Sequence, residues 1–191
     1  MELIFATNNQ NKAKEIRQKI SGGYEILSLK DIGFTEDIPE DFETLKENAE
    51  VKAETIFKLT GKNCFADDTG LEVDALNGEP GVYSARYAGV HGDSEANMKK
   101  LLHLLKKSKN RAARFRTVIC LIVNGHKLFF EGVAEGEITI RKSGAEGFGY
   151  DPIFKPIGYE ITFAEMPLAE KNKLSHRAKA FEKMLSYLHK E

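Results

Sequence analysis

The chain has 191 residues, 41% hydrophobic and 30% charged, with a formal net charge of -1. That balance describes an ordinary folded protein with ample material for a core. It excludes a disordered chain and gives a nucleic-acid or membrane-surface partner no electrostatic footing. Cys64 and Cys120 lie in apolar runs with no CxxC or Cys/His cluster, so they read as buried reduced thiols, which fits a cytoplasmic location. The N-terminal MELIFATNNQNK has no basic region ahead of its apolar run, and no segment approaches the roughly 18 apolar residues of a membrane span. Neither a signal peptide nor an anchor is expected.

In chain order, ELIFAT (residues 2–7) reads as a short buried strand, and NNQNKAKEIRQKI as a loop opening a helix. YEILSL gives a second strand, followed by the acidic loop DIGFTEDIPED. From Thr44 the apolar residues Leu45, Ala49, Ala53, Ile56 and Phe57 recur at helical spacing, and Gly61 sits where a left-handed residue would end the helix. A second amphipathic helix covers Ser94 to Lys107, with Asp93 or Ser94 able to cap it. Two strands, RFRTVICLIVN and KLFFEGVAEGEITI, flank Asn124-Gly125, a two-residue hairpin signal. The glycine-rich SGAEGFGYDP follows, and a last helix starts near Ser175. No repeat or linker interrupts the chain, so residues 1–191 read as a single domain.

Four segments carry possible chemistry, each beside a plainer reading. The strand-loop-helix at Thr7, Asn8, Asn9, Gln10, Asn11 and Lys12 offers amide donors and one cation to an anion, or is simply a capped helix. Asp67 and Asp68, preceded by Glu40, Asp41 and Glu43, could supply carboxylate oxygens to Mg²⁺, or make a turn with Thr69 and Gly70 at the end of a strand. GFGYDP, containing Phe148, Gly149, Tyr150 and Asp151, allows close backbone approach and a ring surface for a flat ligand, or is a turn with core aromatics. Lys171, His176 and Arg177 gather cations around a helix start at Ser175, where the dipole disfavours them. They suit an anionic or carbonyl-rich ligand, or form a solvated basic turn.

The order of these segments is more specific than any one of them. ATNNQNKAKE, ENAEVKA, FADDTGLEVDALNGEPGVYSARYAG, EGFGYDPIF and KNKLSHRAKAF, spanning Thr7 to Phe181, resemble the inosine triphosphate pyrophosphatase family of non-standard purine nucleoside triphosphate pyrophosphatases. The resemblance implies an elongated mixed α/β fold, its sheet flanked by helices in two lobes with a central active-site cleft. It also implies a homodimer and Mg²⁺-dependent hydrolysis of ITP, dITP and XTP to the monophosphate and pyrophosphate. By motif position Thr7 to Lys12 would cradle the phosphates, with Lys52 adding charge. Glu40 would bind metal. Asp68 would be the metal-linked proton acceptor, with Asp67 beside it, and Thr69 would touch substrate. Phe148, Gly149, Tyr150, Asp151, Lys171, His176 and Arg177 match base-recognition positions. Two departures stand out. Phe42 replaces a glycine two residues after the glutamate, and Thr69 replaces a serine.

On this reading the Asp-Asp turn aims Asp68 at the attacking water, and a lysine or arginine, which can only donate, selects a 6-keto purine. The competing readings are a pyrophosphatase of the Maf-like type acting on other nucleotides, and a nucleotide sensor without turnover. A nucleic-acid-binding module is disfavoured by the near-zero charge.

Overall fold

A computed structural model describes residues 1–19 and 23–190. Its strands are β1 (Glu2–Phe5), β2 (Glu25–Ser28), β3 (Cys64–Val73), β4 (Pro80–Gly81), β5 (Ala112–Val123), β6 (His126–Ile138) and β7 (Phe154–Pro156). Its helices are α1 (Gln10–Lys19), α2 (Leu45–Thr60), α3 (Ser94–Leu104), α4 (Leu168–Leu174) and α5 (His176–Leu188). Ile20, the last residue of the expected first helical segment, lies outside the described residues. The fold is mixed α/β: the strand order is β2-β1-β3-β5-β6-β7, with β4 pairing β3. The chain divides into two compact units, one of residues 1–68, 117–132 and 177–191, the other of residues 69–116 and 133–176.

In the first unit β1 lies parallel to both β2 and β3, with Phe5 opposite Phe65 and Ile4 opposite Cys64. Side chains alternate across a strand, so a strand covered on both faces sorts its residues by parity. Leu3, Phe5, Phe65, Ile119, Leu121 and Val123 pack with Ile16 of α1 and with Ala180, Phe181 and Met184 of α5. Ile4, Ala6, Cys64, Ala66, Cys120 and Ile122 pack with Ala49, Ala53 and Ile56 of α2. One face of β3 therefore looks at α1 and α5, the other at α2. The Phe5 and Phe65 rings stack with centroids 4.5 Å apart, and each fully buried ring contributes about 1.5–3 kcal/mol. Burial pushes both thiols up to about 12, so Cys64 and Cys120 stay protonated.

Helix α2 starts and stops where its sequence directs. The Thr44 hydroxyl accepts the Glu47 N–H, and Gly61 closes the helix at φ 65°, in the left-handed region. The Thr44 cap is worth about 1 kcal/mol, which Thr44→Ala would remove. Asn124 and Gly125, at φ 50° and 79°, form the expected tight turn between β5 and β6.

The second unit packs Leu71 and Val73 of β3, Met98 and Leu101 of α3, Phe115 of β5, Ile138 of β6 and Phe154 of β7 with Tyr150 and Phe163. Strand β7 runs antiparallel to β6, with Ile138 opposite Phe154.

Three expectations need correction. Asp67 and Asp68 do not end a strand in a turn, because β3 runs unbroken through DDTG to Val73. Helix α3 ends at Leu104 rather than Lys107. Lys171 belongs to a separate short helix, α4, that Pro167 introduces, whereas the last helix does start where expected, at His176 directly after Ser175.

Candidate active site

Parity decides where the two aspartates go. Asp67 shares the face of Phe65, towards α1 and α5, whereas Asp68 shares the face of Cys64 and Ala66, towards α2. Both are buried, at 2% and 6% exposure. On the first face Asp67 Oδ1 accepts from Lys12 Nζ at 2.9 Å, and Oδ2 accepts from Arg177 Nε at 3.0 Å. Arg177 Nη1 also donates to Glu15 Oε2 at 2.6 Å. Burial alone would raise the Asp67 carboxyl, but Lys12, Arg177 and Lys52 outweigh it and hold it far below the usual carboxylate range. Arg177 is correspondingly raised by Asp67 and Glu15 against its own burial.

On the second face Lys52 Nζ donates to Glu40 Oε1 and to the Asp67 carbonyl, each at 2.7 Å, and lies 3.9 Å from Asp68 Oδ1. One ammonium serves two carboxylates. Burial raises the Asp68 carboxyl; Lys52 and Lys12 pull it back only in part, and the neighbouring Glu40 and Asp67 add smaller contributions to the rise. Glu40 goes the other way: burial would raise it, but Lys52 holds it below the ordinary glutamate value. Lys52 itself is raised by Asp68, Glu40 and Asp67 despite burial, whereas Lys12 is lowered, first by burial.

The segment Thr7 to Lys12 forms the capped entry to α1. Asn9 Oδ1 accepts the Asn11 and Lys12 N–H groups at 3.0 and 3.2 Å, and Thr7 Oγ1 accepts the Asn9 N–H at 3.1 Å. Two of the amide donors that sequence reasoning offered to an anion are thus engaged by Asn9. Asn8 and Gln10 are exposed at the loop, and the Lys12 ammonium is the one bonded to Asp67.

In the second unit the Asp151 carboxylate organises the glycine-rich loop. Its Oδ2 accepts the Phe148 N–H at 2.9 Å and Lys171 Nζ at 2.7 Å. Gly147 has φ 77°, and a Cβ there would lie 2.1 Å from that same oxygen, so only glycine lets the carboxylate reach the loop. Lys171 Nζ also lies 5.1 Å from the Phe148 ring centroid, within cation–π range. Tyr150 donates its hydroxyl to the Ser84 carbonyl at 2.9 Å and is core. His176, 3% exposed, stacks on Phe115 with centroids 4.6 Å apart.

A Ham1 family profile matches residues 3–187. This chain belongs to the Ham1 family. The dITP/XTP pyrophosphatase of Flavobacterium johnsoniae is 53% identical over 188 residues, 98% of each chain, and that of Christiangramia forsetii is 54% identical over 190 residues, the whole of both. Among solved structures, a HAM1 protein from Coxiella burnetii superposes with a TM-score of 0.89 at 36% identity over all of both chains. The Staphylococcus aureus Ham1 protein gives 0.86 at 39% identity over 99% of this chain and 98% of its own.

Within this Ham1 chain the structure joins Lys12, Lys52, Glu40, Asp67 and Asp68, as the sequence grouped them, and it joins Phe148, Asp151 and Lys171. It sets the Arg177 guanidinium against Asp67 and Glu15. Glu15 was missed. Its position three residues after Lys12 on α1 was a usable signal, because both then lie on one helical face.

Proposed function

We propose that this protein hydrolyses dITP, ITP and XTP to the nucleoside monophosphate and pyrophosphate, clearing non-standard purine nucleotides from the pool. The observation that carries the proposal is full-length identity above 50% to proteins named dITP/XTP pyrophosphatase. The Asp68 face supplies the chemistry. A buried carboxylate whose proton affinity is raised is a competent general base near neutral pH. Asp68 takes the proton of a water whose oxygen bonds the α-phosphorus, the bond from that phosphorus to the α–β bridging oxygen breaks, and pyrophosphate leaves. Lys12 and Lys52 oppose the negative charge that gathers on the departing side.

Mg²⁺ is part of the proposal, and the donor set fits it. Among the described residues no three His, Cys, Asp or Glu side chains form a metal cluster. Mg²⁺ commonly needs only one or two protein carboxylates, with water and phosphate oxygens completing its shell. Glu40 and Asp68, two carboxylates around one ammonium, would hold it. Asp67 would not, because both its oxygens are engaged by cations. When bound, the ion would neutralise the triphosphate and polarise the phosphorus.

Base reading falls to Lys171, Phe148, Asp151 and His176. A lysine donor suits a 6-keto purine, and adenine would leave it facing an amino donor. Among the described residues no helix is long and apolar enough to cross a membrane. The homodimer and cytoplasmic location implied by the resemblance belong to this proposal.

The test is pyrophosphate release from dITP, ITP, XTP, GTP, ATP and the pyrimidine UTP, with Mg²⁺ and with EDTA. Metal-dependent turnover of the first three far above the last three is expected. Equal turnover of ATP, or preference for a pyrimidine, would overturn it.

A further inference from the structure

Asn48, one turn ahead of Lys52 on α2, is fully buried and takes no part in the chemistry above. Its carboxamide bridges the backbone N–H and carbonyl of a single residue, Phe42. Oδ1 accepts the Phe42 N–H at 3.1 Å, and Nδ2 donates to the Phe42 carbonyl at 3.3 Å. Residues 48 and 52, four apart on a helix, share a face. That face therefore holds the 40–42 segment at two points, the Phe42 backbone through Asn48 and the Glu40 carboxylate through Lys52 at 2.7 Å. The Phe42 ring is 46% exposed, and both clamp bonds are made by its backbone. The grip explains how a large side chain stands at position 42 without displacing Glu40: the clamp reads the backbone, not the side chain.

We infer that Asn48 is a positioning residue that presents Glu40 to the nucleotide-bound divalent cation by clamping the Phe42 backbone. The inference rests on the Mg²⁺ reading above. Glu40 sits on a segment without regular structure, with Lys52 competing for its carboxylate. Without the clamp, each metal-binding event must also order that segment. Loss of Asn48 should therefore weaken metal affinity while leaving Asp68 and the attacking water in place. Residues acting behind a ligand in this way typically cost 10–100-fold in metal affinity.

The test compares wild type with Asn48→Asp, which is isosteric but cannot donate when ionised, and with Phe42→Pro, which deletes the N–H from an exposed position and spares the core. Phe42→Ala, which keeps the N–H, is the control. Two quantities are read: the Mg²⁺ concentration for half-maximal dITP turnover, and Mn²⁺ affinity by electron paramagnetic resonance with a non-hydrolysable dITP analogue. Asn48→Asp and Phe42→Pro should each raise both by about 10-fold or more, with kcat at saturating metal within a few-fold of wild type and Phe42→Ala unchanged. A purely structural asparagine would lower the melting temperature and the active fraction at every metal concentration and leave both constants alone, which would overturn the inference. A wild-type protein indifferent to divalent cations would overturn it together with the metal reading.

Discussion

The two faces of β3 carry neighbouring aspartates in opposite electrostatic situations. On the α1/α5 face, Asp67 meets Lys12 and Arg177, with a full bond to each oxygen, and is held ionised far below the usual range. On the α2 face, Asp68 shares Lys52 with Glu40 and is raised. The first arrangement uses charge to fix α1 and α5 against the sheet. The second sets two carboxylates around one ammonium, an arrangement that suits the divalent ion and the general base of the proposed function. Strand alternation alone puts two identical side chains in opposite surroundings, and under the proposed function one is scaffold and the other the general base.

The largest effect on stability should come from the α1/α5 face. Asp67→Asn leaves Lys12 and Arg177 buried without their shared countercharge, a loss of about 3–5 kcal/mol, or about 6–20 °C in Tm for a chain of this size. Thermal and urea melts of the variant check this. The sign with pH follows from the depressed carboxyl: its contribution is present above the ordinary aspartate value and is lost as pH falls through the folded one, so wild type and variant should converge in strong acid. Equal melting at neutral pH would break the comparison at its scaffold end.

A smaller effect should come from the second unit. Phe148→Ala removes the ring proposed to stack on the base, worth about 1–3 kcal/mol, so the KM for dITP should rise about 5- to 150-fold with kcat little changed. Unchanged KM in steady-state assays would remove Phe148 from base reading. A fall in kcat instead would blur the division between chemistry on the α2 face of β3 and recognition around Lys171.

Most long elements were legible because their signals are local. Thr44, the four-residue spacing from Leu45 to Ala53, and Gly61 define α2 without any tertiary information, and Asn124-Gly125 does the same for the hairpin. Strands β4 and β7, of two and three residues, are too short to show a period. The DDTG segment misled because its composition matches turn chemistry. Burial in a strand won, since Lys12 and Arg177, 55 and 110 residues away, satisfy the Asp67 carboxylate. The same distance hid the partners of Arg177, which lies beside His176 in sequence but bonds Asp67 and Glu15. The parity of Phe65 and Ala66 could have separated the two aspartates in advance, had the strand been carried through them.

The most direct test of the account is Asp68→Asn, assayed for dITP turnover and melted beside wild type at pH 7. Its raised carboxyl destabilises the folded state as pH climbs above the ordinary aspartate value, so the neutral isostere should melt no lower than wild type. Turnover should fall by about 10²–10⁴-fold while nucleotide binding persists. Retained turnover, or a Tm loss like that expected of Asp67→Asn, would mean that the α2 face is scaffold as well and that the base lies elsewhere.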